Sequence, residues 1–175
     1  MKKIWFMKNR FEVKQYYEKN LDFLIGAAFV DFIFQPTKGI IAPDNMFVIN
    51  FKNMNILYSI HVFCFLRINK NNNILINSSD EYVDVNHSLL LEENVRNSIL
   101  LSSINKIKCI LAKEKIEKAF IEECGDLIIS FSNDVKLKAI IDCSIEGYEY
   151  YRIMDFNKSK PLILARCNKE KVLLQ

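Results

Sequence analysis

Residues 125–141 read GDLIISFSNDVKLKAII, and the fold turns on this stretch. Gly125-Asp126 is a turn signal. Leu127 to Phe131 is a run of branched and aromatic residues that suits a pleated surface. Ser132-Asn133-Asp134 turns the chain again, because short polar side chains hydrogen-bond locally and tolerate left-handed backbone. From Val135 to Cys143 apolar residues then alternate with Lys136 and Lys138, the period of a strand with one buried face. The stretch therefore predicts an antiparallel hairpin, and the neighbouring sequence repeats its pattern.

Upstream, Phe29 to Phe34 is strand-like and Gln35-Pro36-Thr37-Lys38-Gly39 is a turn. Met46 to Phe51 forms a second strand, Lys52 to Asn55 a turn, and Ile56 to about Ile68 one long strand. The run NKNNN at 69–73 turns on asparagine and leads into a short strand, Ile74 to Ile76. Downstream, Tyr148 to Ile153 is β, and Pro161 to Ala165 predicts an edge strand, since proline is tolerated at a strand's first residue.

Two helices are expected. Val13, Tyr17, Leu21 and Leu24 fall at helical spacing within 9–24, among charged residues. Val95 and Ile99 place a short connecting helix in 92–101, after a polar loop over 80–88. Ile104 to Leu111 is strand-like, while Ile116 to Glu123 fits helix or strand.

The pieces match pairwise. Ala27-Ala28-Phe29 aligns with Ser102-Ser103-Ile104, the strand ending at Phe51 with the one ending at Phe131, Leu57 and Ile60 with Leu137 and Ile140, and Leu66-Arg67-Ile68 with Tyr151-Arg152-Ile153. The expectation is a single domain over 1–175 with pseudo-repeats at about 21–70 and 98–155. Each repeat is a meander whose apolar face must be covered, and packing the two together covers both. The predicted fold class is mainly β: a β-sandwich or partly open barrel with an N-terminal helix and a short connecting helix, with an α+β sheet as the alternative.

Composition bounds the function. Half of the 175 residues are apolar and about a quarter are charged, ordinary globular usage that excludes disorder. The apolar start Ile4 to Met7 is too short for a secretory leader, and no run reaches the ~18 residues of a membrane helix. Five separated cysteines with no CxxC pair and no histidine at ligand spacing predict free thiols in a reducing cytoplasm, with no metal and no cofactor. Phosphate-cradling glycine loops are absent, as are HExxH and GxSxG. Adjacent carboxylates such as Glu92-Glu93 and Glu122-Glu123 point to opposite faces if placed on a strand. His61, opposite in parity to Ile60 and Val62, is expected to face away from theirs, and no catalytic residue is assigned.

Charge is segregated along the chain. Residues 1–70 hold ten Lys or Arg against five acids, 71–155 nine against fifteen, and 156–175 five against one. An acidic surface assembled from the middle region would attract a basic partner and speed its docking. The segments FCFLRINKNNNI (63–74), GDLIISFSNDVKL (125–137) and GYEYYRI (147–153) give a layout that resembles small bacterial immunity proteins of polymorphic toxin and contact-dependent growth inhibition systems. That resemblance implies a cytoplasmic, non-catalytic protein that binds and neutralises a cognate toxin domain, usually a nuclease. The candidate contacts are Glu81, Asp84, Glu92, Glu93, Asp142, Glu146, Tyr148 and Glu149. The alternative is a module binding a small molecule or single-stranded nucleic acid between the halves, although a net charge of +3 argues weakly for nucleic acid.

Overall fold

A computed structural model describes residues 11–15, 20–35, 46–78, 99–141, 148–159 and 161–167. They form a mainly β protein of two antiparallel sheets and one α-helix. The elements in chain order are β1 (Phe11–Gln15), a 3-10 turn (Asp22–Leu24), β2 (Ala28–Gln35), β3 (Met46–Asn53), β4 (Ile56–Val62), β5 (Phe65–Lys70) and β6 (Asn73–Asn77). Then come α1 (Ile99–Leu111), β7 (Ile116–Ile121), β8 (Leu127–Phe131), β9 (Val135–Ile140), β10 (Glu149–Asp155) and β11 (Ile163–Cys167).

The first sheet has the order β1-β11-β10-β4-β3-β2 and the second β6-β5-β9-β8-β7. Leaving β1 aside, the two orders follow one plan: a three-strand meander occupies one sheet, and the chain then crosses to lay two strands in the other. The registers correspond in detail. A bulge interrupts β2 between Phe29 and Asp31 and β7 between Ile116 and Lys118, each time after the residue paired with Phe51 or Phe131. The rings of Phe51 and Phe131 meet between the sheets with centroids 6.0 Å apart. Asn53 donates to the carbonyls of Phe23 and Ile25 at 3.0 and 3.2 Å, closing the 3-10 turn, while Asn133 donates to the Ile110 carbonyl of α1 at 3.3 Å.

Leu66-Arg67-Ile68 and Tyr151-Arg152-Ile153 hold matching places, pairing with Ala139 to Leu137 and with Val62 to Ile60. Two of the expected matches are displaced. Ile60 takes the place of Leu137, not of Ile140, because the β3–β4 and β8–β9 hairpins close with different loop lengths. Ser102-Ser103-Ile104 lies in α1, and the start of β2 instead faces the start of β7. There Gly26 N donates to Ile116 O at 2.8 Å and Ile116 N to Ala27 O at 3.0 Å, joining the sheets at one corner.

Tertiary pairing explains the other departures. Within the expected N-terminal helix, 11–15 is a strand: Phe11 and Val13 satisfy a period of two as well, and β11 offers an edge to pair with. Among the described residues of that segment, the short turn at Asp22–Leu24 is the helical part. The helix expected in 92–101 begins at Ile99 among the described residues and runs to Leu111, absorbing the segment read as a strand. Leu100, Ile104, Ile107 and Leu111, spaced by four, three and four, are its buried residues. It packs on β2 and β6 and is tied to β2 by Lys108 Nζ to Asp31 Oδ1 at 2.9 Å.

The single strand expected over Ile56 to Ile68 is two strands in different sheets. Its inward alternation of Tyr58, Ile60, Val62, Cys64, Leu66 and Ile68 continues through the corner, all of them buried. The crossover is held from outside, where Phe63 N and Cys64 N both donate to Tyr150 O, at 2.8 and 3.2 Å. β11 is an interior strand because β1 covers it, and Pro161 lies before its ladder. No helix among the described residues is long and apolar enough to cross a membrane.

Candidate functional site

Of the eight candidate contacts, Glu81, Asp84, Glu92, Glu93, Asp142 and Glu146 lie outside the described residues. Tyr148 and Glu149 stand at the start of β10, beside the crossover, and other polar residues gather there. The Tyr148 hydroxyl donates to Phe63 O at 2.7 Å, and its ring lies edge-on to Tyr150 with centroids 5.7 Å apart. These contacts fix an aromatic side chain whose ring is only half-buried.

Register brings in the rest. Arg152 of β10 is paired with His61 of β4 on the outward face of the first sheet. Arg152 Nε donates to His61 Nδ1 at 3.3 Å, and the guanidinium lies 5.3 Å from the centre of the Phe63 ring. The same Nε is 3.4 Å from Glu149 Oε1. One N–H serves both directions and is aimed at the histidine, so Glu149 Oε1 is buried and meets no hydrogen-bond donor among the described residues.

Electrostatics follow from this geometry. Burial, with the Arg152 charge added, pushes the His61 pKa down to about 4, so the ring is neutral at neutral pH and offers Nδ1 as an acceptor. Burial raises the Glu149 carboxyl above its ordinary value, and Arg152 opposes that rise only in part. His61 faces outward as its parity predicts, whereas Cys64 points into the core. With Nδ1 taken by arginine and the thiol on the other face, these two residues do not make a nucleophile and base.

Among the described residues, one group has metal-type donors: Glu122, Cys124 and Asp126, with ligand atoms within 4.8 Å of one another. A cation is already present. Lys138 Nζ lies 2.9 Å from Glu122 Oε2 and 3.1 Å from Asp126 Oδ2, and the Glu122 bond leads the rise in the lysine's pKa. Asp126 Oδ1 accepts from Ile141 N at 3.0 Å, and the Tyr151 hydroxyl donates to Gly125 O at 2.8 Å. The group thus ties the β7–β8 turn to β9 as an ion-pair network.

The space between the sheets, where a ligand pocket was the alternative expectation, is packed with Phe32, Phe47, Phe51, Phe131 and Tyr151. Sequence reasoning gave His61 an outward direction but did not pair it with Arg152, since the pairing depends on which strand lies beside β4. The chain matches no protein-family model, no curated protein and no solved structure.

Proposed function

We propose that this protein is a non-catalytic immunity protein of the cytoplasm that binds a cognate toxin domain, a basic nuclease, and covers its active site. One observation supports this reading above the others: Tyr148 and Glu149 stand side by side at the start of β10, a fixed aromatic next to a part-exposed carboxylate whose ion-pair partner Arg152 gives its Nε–H to His61. A partner's Lys or Arg would pair with the exposed part of the Glu149 side chain, which is 30% exposed, and a fixed tyrosine loses little entropy on docking. The excess of acids over 71–155 would favour a basic partner over longer range.

The test is a binding and inhibition assay with the toxin domain encoded beside this gene. The native protein should hold the toxin at ~0.15 M salt and abolish its nuclease activity. Tyr148→Ala and Glu149→Gln should each weaken the complex by roughly tenfold or more, as residues central to an interface do, while circular dichroism stays unchanged. The reading is wrong if no complex forms, or if both variants inhibit as well as the native protein.

A further inference from the structure

The outward faces of the two sheets can be compared place by place, because the sheets follow one plan. On the first sheet, Asp31, Ser59, His61 and Arg152 occupy outward positions; the corresponding places on the second are Lys118, Lys136, Lys138 and Arg67. At these four places, one acid and one base on the first sheet correspond to four bases on the second. The paired outward positions of β5, β7, β8 and β9 carry no acid, and the exposed Glu117 stands at the β7 bulge next to Lys118. Glu122 and Asp126 reach in from the β7–β8 turn to engage Lys138, leaving Lys118, Lys136 and Arg67. With neighbouring strands about 4.8 Å apart, β7 to β5 sets these charges across roughly 14 Å.

Aromatic rings stand among the charges. Phe120 is 46% exposed on β7, in the row that runs through Ile128 and Lys138 to Arg67. Its counterpart on the first sheet is the aliphatic Ile33. Arg67 lies over the Phe65 ring at 5.6 Å, and its buried Nε meets no hydrogen-bond acceptor among the described residues. An exposed ring costs solubility unless something stacks on it. Cations spaced beside such rings on an antiparallel sheet provide both parts of single-strand recognition, phosphate contact and base stacking.

We propose that the outward face of the second sheet binds single-stranded nucleic acid, with Lys118, Lys136 and Arg67 on phosphates and Phe120 beneath a base. This surface lies on the other sheet from Tyr148 and Glu149 and does not depend on the toxin-binding reading. An acidic protein would also satisfy the lysines, and competition by poly-glutamate separates the two.

The test uses the full chain and a fluorescein-labelled 20-nucleotide oligo-dT, read by fluorescence anisotropy. Three phosphate contacts predict that affinity falls about 20-fold between ~50 and ~200 mM salt. The double variant Lys118→Gln/Lys136→Gln should lower the salt slope by about 1.4. Phe120→Ala should weaken binding roughly tenfold with the slope unchanged. Lys52→Gln, on the outward side of the first sheet, and Tyr148→Ala should bind like the native chain. All five positions are solvent-accessible, and thermal melts will show that each variant is folded. The proposal is overturned by any of three results: no anisotropy change at ~50 mM salt, native-like binding by the double variant, or poly-glutamate competing as well as unlabelled oligo-dT while Phe120→Ala has no effect.

Discussion

Replacing Asp126 by alanine tests whether the Glu122–Asp126–Lys138 network is structural. Asp126 is 7% exposed, and its two oxygens have different tasks: Oδ1 accepts from Ile141 N at 3.0 Å, and Oδ2 faces Lys138 Nζ at 3.1 Å. Alanine leaves the Ile141 amide without its acceptor, at a cost of about 1–3 kcal/mol, and removes one of the two carboxylates on the lysine. Because Lys138 is 34% exposed and keeps Glu122, the ionic loss is about 1 kcal/mol. Asp126→Ala should therefore destabilise the protein by about 3 kcal/mol, a drop in Tm of roughly 6–12 °C for a chain of this size. Asp126→Asn keeps an acceptor for Ile141 and should cost only about 1 kcal/mol. Urea unfolding followed by circular dichroism measures both. A cost below ~1 kcal/mol for alanine, or equal costs for alanine and asparagine, would refute the division of labour between the two oxygens. Stabilisation by added zinc that is lost in Asp126→Ala would show that a metal replaces the lysine.

Two further outcomes are expected. Because the His61 pKa falls to about 4 in the fold from an ordinary 6.5, the unfolded chain binds more protons between those values, and stability contributed by neutral His61 is lost as pH drops through that window. Screening reduces the loss to the order of 2 kcal/mol. Glu149, raised by burial, acts in the opposite sense, favouring the fold at low pH and less so as pH rises. Comparing unfolding of native and His61→Asn protein from pH 4 to 7 isolates the histidine; parallel curves would contradict its burial as a neutral ring. Gly26→Ala should cost about 1–2 kcal/mol from backbone strain alone. Gly26 has φ +78, and a Cβ there would meet nothing within 4 Å. A neutral result in the same unfolding assay would mean that the corner between β2 and β7 relaxes.

The hairpin over 125–141 was legible because every local signal agrees: turn residues at both ends and alternation between, with β8 and β9 where those signals put them. Both hairpins with two clear turns were readable for the same reason. The later part of α1, from Ile104 to Leu111, reads as a strand because Ile104, Ile107 and Cys109 are strand-formers by propensity, while the spacing of Leu100, Ile104, Ile107 and Leu111 is helical. Of the candidate contacts, Tyr148 and Glu149 were named from residue type and from the resemblance carried by 147–153, and both fall among the described residues. Their neighbours His61, Phe63 and Arg152 come from β4, the crossover and another position on β10, and no pattern along the chain joins residues 91 positions apart.

Sequence alone determined that this chain makes β meanders with one apolar face each, since period-two alternation and polar turns are local properties. It also determined that Lys136 and Lys138 share a face. Tertiary structure decided where each meander divides between sheets. The inward alternation from Tyr58 to Ile68 runs unbroken through the corner at Phe63 and Cys64, so the crossing is marked by tertiary bonds, from Phe63 N and Cys64 N to the Tyr150 carbonyl and from the Tyr148 hydroxyl to Phe63 O. It decided too that 11–15 pairs with β11 instead of coiling, and that Arg67, Lys118, Lys136 and Lys138 share one face. The physical reason is the same in each case. Side-chain periodicity records which way a residue points, but strand order records which distant residue it points beside, and that is settled only when both apolar faces are buried together.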